Sequence, residues 1–183
     1  MKYCSQCGSK VVLIIPEGDN RHRHVCESCS TIHYQNPNIV AGTVPIYEGK
    51  VLLCKRAIEP RLGYWTLPAG FMENKESASE AAIRETREEA QAEIHLGSLF
   101  TMLSVPEIDQ VHIFFLAELK SPEFGAGEET LEARLFSEQE IPWSEIAFPT
   151  VKKTLHYYFE TAEEDRSKSP TRVEEIRRNP VQK

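Results

Sequence analysis

Residues 70–92 read GFMENKESASEAAIRETREEAQA, and this stretch decides the fold. Six charged residues lie between Glu80 and Glu89, four of them glutamates. Glu85, Glu88 and Glu89 stand at i, i+3 and i+4, a spacing that puts three carboxylates on one face of a helix. Like charges held that close repel unless cations bind between them, and carboxylate oxygens are ligands that Mg²⁺ and Mn²⁺ prefer. The segment predicts a helix. Ser77 and Glu80 are spaced as a capping box, S-x-x-E, and Ala78, Ala81, Ala82 and Ile83 follow as helix formers or apolar contacts. Glu80 and Arg84 support the helix as an i, i+4 pair, whereas Glu85 and Glu89 oppose it. Charge clusters by themselves are usually solvated surface. Here the sequence Trp65-Thr66-Leu67-Pro68-Ala69-Gly70 feeds the helix through a tight loop, and glycine lets backbone approach a ligand closely. Arg84 adjoins the acidic triplet and can clamp carboxylates.

Gly70, five residues, Glu76, seven residues and then Arg84-Glu85-Thr86-Arg87-Glu88-Glu89 resembles the Nudix box, G-x5-E-x7-R-E-U-x-E-E-x-G-U. Every charged position is present. The chain departs at Thr86, where a bulky aliphatic residue is usual, at Gln91, which replaces a glycine, and at Ala92, a small final apolar residue. Those positions shape helix packing and exit rather than metal binding.

Outside the box, the first 35 residues read as a separate unit. Cys4-x2-Cys7 and Cys26-x2-Cys29 are separated by 18 residues, the spacing of a zinc ribbon in which two thiolate pairs make a tetrahedral site. Val11–Ile15 and Arg21–Val25 read as short strands around the turn-rich Pro16-Glu17-Gly18-Asp19-Asn20. Two disulfides or a redox CxxC are the competing readings. With four protein ligands a zinc here is structural, and a unit this small needs the metal for its folding energy. His22, His24 and His33 are surplus to that ligand set. Cys54 sits in an apolar strand and reads as an inert core thiol.

The length of 183 residues allows one medium domain plus a small one. Hydrophobic content of 40% and a charged fraction of 27% are ordinary for a globular chain. A net charge of −7 argues against broad binding of phosphate backbone, so nucleic acid is not the expected partner. No signal-peptide pattern opens the chain, and no uncharged apolar run approaches the ~20 residues of a membrane span. The expected location is the cytoplasm.

A CxxC…CxxC ribbon running through His33-Tyr34-Gln35-Asn36-Pro37 into such a box is similar to the zinc-ribbon Nudix hydrolases. These include NADH pyrophosphatases and FAD and ADP-ribose pyrophosphatases. The resemblance implies a Nudix α/β/α sandwich with a mixed sheet behind a small N-terminal Cys4 zinc ribbon. The expected boundaries are 1–35 for the ribbon, 36–163 for the hydrolase domain and 164–183 for a polar, flexible tail. Strands are expected over Ile39–Tyr47 and Lys50–Lys55, joined by a turn at Glu48-Gly49, and then over Glu93–Val105, Val111–Leu119 and Ala133–Phe136. Val151, Leu155, Tyr158 and Phe159 form the apolar stripe of a helix over Thr150–Glu160. From Glu160 onward 12 of 24 residues are charged, which suits a disordered tail.

The resemblance also implies a site. Glu85, Glu88 and Glu89 would hold Mg²⁺ or Mn²⁺, joined by Glu129 and the backbone carbonyl of Ala69. Glu88, Glu89 and Glu129 would carry the catalytic work, with the general base unassigned among them. Lys55 and Arg56 read either as strand-end charge or as cations near phosphate. Arg56, Arg61, Trp65 and Phe71 are the candidates for binding the substrate, Trp65 also reading as core. His112 alternates with apolar neighbours and reads as structural. The substrate expected is a nucleoside diphosphate derivative, FAD or ADP-ribose, cleaved to release AMP. NADH ranks lower, because NADH pyrophosphatases carry a downstream S-Q-P-W-P-F-P-x-S stretch where this chain has Leu103-Ser104-Val105-Pro106-Glu107. NAD-capped RNA is a further alternative. A ribbon that binds nucleic acid or protein, without hydrolysis, is the competing reading from another class. Homodimerisation would suit many such pyrophosphatases but leaves no mark in this sequence.

Overall fold

The computed structural model describes residues 1–166, 168 and 170–177. The chain divides into two compact units, Met1–Pro37 and Asn38–Lys183. The first is a three-stranded antiparallel sheet in the order β1 (Val11–Ile14), β2 (Arg23–Cys26), β3 (Ile32–His33). Between β1 and β2 the chain turns at Pro16–Asp19. The Asp19 carboxylate accepts from the Asn20 and Arg21 N–H groups at 2.7 and 3.1 Å and from Arg23 Nε at 2.9 Å. Two strands were expected here; β3, at two residues, is too short to leave a periodic pattern.

The second unit opens with the hairpin of β4 (Asn38–Tyr47) and β5 (Lys50–Arg56). Glu48 and Gly49 both take positive φ, 48° and 76°, the geometry whose twist matches flanking strands. Then come β6 (Trp65–Thr66), β7 (Ala69–Phe71), α1 (Ala78–Ala90), β8 (Ile94–Val105), β9 (Gln110–Leu119), β10 (Thr130–Phe136) and α2 (Pro149–Glu160). A short helix, α3 (Glu163–Arg166), and β11 (Arg172–Glu175) complete the described elements. The sheet runs β10-β5-β4-β9-β8-β11, with β6 paired to β5 and β7 to β4. It is mixed: β4–β9 and β8–β11 are parallel and the other pairs antiparallel.

Alternation along the strands supplies both faces. Ala41 and Ile113 pack with Ala81 and Ala82 of α1, while Val44, Leu53, Phe114 and Leu116 pack with Val151, Leu155 and Tyr158 of α2. A sheet between two helical layers results, as the expected sandwich requires. The α1 start is built as its sequence indicates. Ser77 Oγ accepts from Glu80 N–H at 3.2 Å, and the Glu80 carboxylate accepts from Ser77 N–H at 2.8 Å. Thr86, the departure from an aliphatic position, is fully buried but satisfied: its hydroxyl lies 2.6 Å from Thr43 Oγ1 and donates to the Ala82 carbonyl at 2.7 Å. Gln91, in place of glycine, ends α1 in the left-handed region at φ 49°.

The expectation of a flexible tail over 164–183 is corrected over Arg172–Glu175. This strand pairs with Thr101–Ser104 of β8. Its polar residues anchor it: Glu174 receives both Tyr157 Oη and Lys153 Nζ, and the Arg172 guanidinium lies 4.6 Å over the Tyr157 ring. Composition alone does not see these partners, because they come from α2. The parts of that expectation at 167, 169 and 178–183 lie outside the described residues. Among the described residues no helix is long and apolar enough to cross a membrane.

Candidate active site

The loop before α1 crosses β4 and turns the chain so that β7 lies beside the helix. At Gly70 a Cβ would overlap the Glu85 carboxylate. Glycine at this position therefore leaves the Glu85 carboxylate its place, which a larger residue would take by pushing that carboxylate aside. Arg84 organises the cluster from the other side. Its Nε and Nη2 bond the two oxygens of Glu76 at 2.7 and 3.0 Å, a two-pronged pair. Its Nη1 bonds Glu85 Oε1 at 2.6 Å and Glu88 Oε2 at 3.0 Å, and Nη2 also reaches the Phe71 carbonyl at 3.1 Å. One oxygen of Glu85 and one of Glu88 are thereby engaged, leaving the other of each for a further partner.

The glutamates differ in surroundings. Glu89 points inward and is buried, and its Oε2 accepts from the Ala69 N–H at 3.1 Å. Burial pushes its carboxyl up to about 8, reinforced by the charges of Glu85 and Glu129 and opposed by the Ala69 N–H and by Arg56. Burial likewise raises Glu85, against the pull of Arg84. Glu76 is held down at about 2, chiefly by its bonds to Arg84. Glu88 is exposed.

Glu129 arrives from a distant part of the chain, and its loop is tied to α1 rather than loose. Gly125 and Gly127 donate their N–H groups to the carbonyls of Ala90 and Glu89 at 2.8 and 3.0 Å, closing the helix C-terminus. A Cβ at Gly127 would overlap the Glu88 carbonyl. The Glu129 carbonyl accepts from Ala57 N–H at 2.8 Å, which fixes the loop to the end of β5.

These parts line one cleft of about 1040 Å³. Of the residues expected at the site, the structure brings Arg56, Arg61, Ala69, Phe71, Glu85, Glu88, Glu89 and Glu129 to it. Arg56 is steadied by donating from Nε to the Pro60 carbonyl at 2.9 Å and by lying 5.1 Å over the Phe148 ring. For Trp65 the structure corrects the substrate-binding reading and bears out the core one. The indole is buried edge-on against Phe136, with ring centroids 4.8 Å apart, and does not face the cleft. Strand alternation explains this: Thr66, its neighbour, lines the cleft instead. Lys55 points away for the same reason and lies over the Trp65 ring. The opposite wall was missed. Ile108, Gln110, His112 and Phe114 come from the β9 region, and Phe148, Pro149 and Val151 from the start of α2. The alternation of Gln110, His112 and Phe114 marks one face of a strand, but nothing local says that this face lines a cleft.

The carboxylates suit hard cations by chemistry. The buried Glu89 has one protein donor and two acidic neighbours, Glu85 and Glu129, so a cation would relieve both its desolvation and their repulsion. Without one, Glu89 stays protonated up to about pH 8 although an unfolded glutamate ionises near 4.5. The folded state then holds a proton the unfolded state has released, so stability falls as pH rises across that window. His112 acts oppositely: burial lowers it to about 4, so its contribution grows from pH 4 to 6.5 and is complete above that. The metal-free protein is therefore expected to lose Tm between about pH 6.5 and 8. Added Mg²⁺ should raise Tm more at pH 8 than at pH 6.5, and Glu89→Gln should flatten both trends. A Tm series with and without Mg²⁺ checks this; an unchanged slope in the variant would assign the effect elsewhere.

In the first unit, Cys4, Cys7, Cys26 and Cys29 bring their sulfurs within 4.8 Å of one another. Cys7–Cys26 and Cys4–Cys29 stand 3.4 and 3.7 Å apart. Sulfurs ~2.3 Å from a tetrahedral centre would lie ~3.8 Å from each other, so the set fits zinc. The His33 Nε2 atom lies 3.3 Å from Cys4 Sγ.

The comparisons agree with this geometry. A zinc-ribbon family model described as "Nudix N-terminal" matches residues 2–35, and one described as "NUDIX domain" matches residues 37–159. A protein named ADP-ribose pyrophosphatase from Methanocaldococcus jannaschii is 31% identical over 68% of this chain and 75% of its own length. A protein named NAD-capped RNA hydrolase NudC from Vibrio parahaemolyticus is 29% identical over 78% of this chain, which spans about half, 53%, of that relative. The crystal structure of a Nudix hydrolase from Nitrosomonas europaea is 49% identical, covers 96% of this chain and 99% of its own, and superposes with a TM-score of 0.88. With the box, the sandwich and the ribbon all in place, the chain belongs to the Nudix hydrolase family.

Proposed function

We propose that this chain hydrolyses the P–O–P link of a nucleoside diphosphate derivative, ADP-ribose or FAD, releasing AMP. The observation that carries the reading is the cleft itself: Glu85, Glu88, Glu89 and Glu129 line it together with Arg56 and Arg61. Carboxylates there would hold Mg²⁺ or Mn²⁺, with the Ala69 carbonyl as a further ligand. The divalent ions would neutralise the two adjacent phosphate charges and activate a water. Arg56 and Arg61 bring fixed positive charge to the phosphate oxygens. Arg84 keeps Glu85 and Glu88 oriented. The proton of the attacking water passes to a carboxylate of the cluster. The cysteine set would hold one structural Zn²⁺. The relative named ADP-ribose pyrophosphatase supports that substrate. So does the rim of the cleft, where Ser104-Val105-Pro106 ends β8 and leads into the turn that carries Ile108. That is the position of the longer NADH-type stretch, which this chain lacks.

NAD-capped RNA is a second reading, favoured by the relatives named NudC. The test is kcat/KM for ADP-ribose, FAD, NADH and NAD-capped RNA at one Mg²⁺ concentration, with AMP release as readout. ADP-ribose or FAD is expected to lead by about tenfold or more, the discrimination a few contacts supply. A lead for NADH or the capped RNA would move the assignment to that branch, and no turnover of any of them would favour the binding-module reading.

A further inference from the structure

The wall opposite the carboxylates holds a hydrogen-bonded chain that the hydrolysis of a diphosphate does not use. His112 is 8% exposed, and both its ring nitrogens are engaged. Nε2 lies 2.8 Å from Gln110 Oε1, and Nδ1 lies 2.8 Å from Thr150 Oγ1. An amide oxygen only accepts, so Nε2 carries the proton and donates to it. Nδ1 then holds a lone pair, and the Thr150 hydroxyl donates to that. The imidazole is neutral in this arrangement, as its burial requires. With its lone pair bound to Thr150, the ring is not placed to take a proton from water.

The consequence falls on Gln110. Its oxygen is fixed by His112, so its amide N–H groups are the part left to the cleft, and a chain of hydrogen bonds polarises them further. Gln110 is half-buried at the start of β9, and Thr150 sits in the first turn of α2, so two elements set its direction. The donor is neutral. The cations of the cleft, Arg56 and Arg61, come from the end of β5 and the loop after it; Arg56 reaches this side at the Phe148 ring, whereas the polar partner of Gln110 is the neutral His112. A phosphate gains little from such a group; a neutral acceptor gains a directed bond. Two residues upstream, Ile108 presents an apolar surface to the same cleft and is 45% exposed. An apolar surface beside a neutral donor matches a nucleobase, which has apolar faces and a polar edge.

We propose that Gln110, oriented by His112 and Thr150, reads the nucleobase of the substrate by donating from its amide to a ring nitrogen or carbonyl oxygen on the base edge. The inference rests on the pyrophosphatase reading above and adds the part of the substrate that the metal-binding cluster does not touch. His112 and Thr150 are positioning residues.

The experiment measures kcat/KM for ADP-, GDP-, CDP- and UDP-ribose in the full-length enzyme, together with the Kd of the four nucleoside monophosphates. Gln110→Leu keeps the bulk and removes the donor. It is expected to lower kcat/KM for the preferred base by about 10- to 100-fold, the range for a lost polar contact in a closed site, and to compress the ratios among the four. Thr150→Val, which leaves Gln110 in place but frees the ring, should compress the same ratios by a smaller factor without lowering turnover of the poorest substrate. Unchanged ratios in both variants, or an equal loss for all four bases, would overturn the assignment. Should Gln110→Leu not fold, Thr150→Val and Gln110→Asn supply the comparison. If the wild type turned over none of the four and no FAD, NADH or NAD-capped RNA either, the pyrophosphatase reading would fail by itself. The monophosphate Kd values would still decide the base contact: a preference lost in Gln110→Leu supports it, and equal affinities before and after refute it.

Discussion

Glu89→Gln is expected to reduce kcat by about three orders of magnitude or more in Mg²⁺, with the fold intact, because charge stabilisation of this kind is worth several kcal/mol in a water-poor site. The substitution keeps shape and burial. Glu89 is 9% exposed, and the Ala69 N–H that bonds its Oε2 could equally bond an amide oxygen. What disappears is the negative charge that holds a cation against the neighbouring carboxylates. Stability should not suffer, since the neutral amide removes the cost of burying a charge that the metal-free protein already avoids by protonation. Glu88→Gln makes a useful contrast. Glu88 is exposed and shares Arg84 with Glu85, so the loss of its charge is partly made up by its neighbours. A smaller drop is expected there. Steady-state kinetics with a circular-dichroism melt for each variant checks both. Wild-type turnover in Glu89→Gln would remove Glu89 from the metal site, and equal losses in the two would show that burial does not rank them.

Much of this is legible in the sequence. The capping box of Ser77 and Glu80, the Glu48-Gly49 turn and the stripe of α2 each announce themselves within a few residues, because their causes are local. The strands over 39–55, 93–119 and 133–136 also appear within a residue or three of their predicted bounds. What escaped was either too short or non-local. β3, β6 and β7 have two or three residues each and no period to show. β11 depends on Tyr157 and Lys153, contributed by another element. At the site, spacing placed three glutamates on one helix face but not their depths. Those differ because Glu89 turns toward the loop over β4 while Glu88 turns to solvent. The same limit explains Trp65. From sequence it reads as core or as a base platform, and the strand's alternation decides for the core.

The ribbon is expected to depend on a bound metal more completely than the second unit depends on any one contact. Across Met1–Pro37 the buried residues are Cys4 and Cys26 alone. Leu13, Ile14 and Ile15 are between 44% and 58% exposed, and no apolar cluster forms there. With so little apolar burial, the hydrophobic effect cannot offset the conformational entropy of ordering the segment, and the four sulfurs at its centre are what remain to hold it. A structural zinc in such a site supplies roughly 10–16 kcal/mol near neutral pH, and all of it is folding energy when the apo segment has no structure. One zinc per chain is therefore expected in the purified protein. Cys26→Ser should remove it and unfold residues 1–37, seen as collapse of their amide dispersion in a ¹H–¹⁵N spectrum. The second unit should keep its own dispersion, because its core clusters draw only on residues from Ala41 onward. Retention of a dispersed ribbon spectrum in Cys26→Ser, or after chelation of the wild type, would mean that the strands of this unit are held by something other than the cysteines' metal.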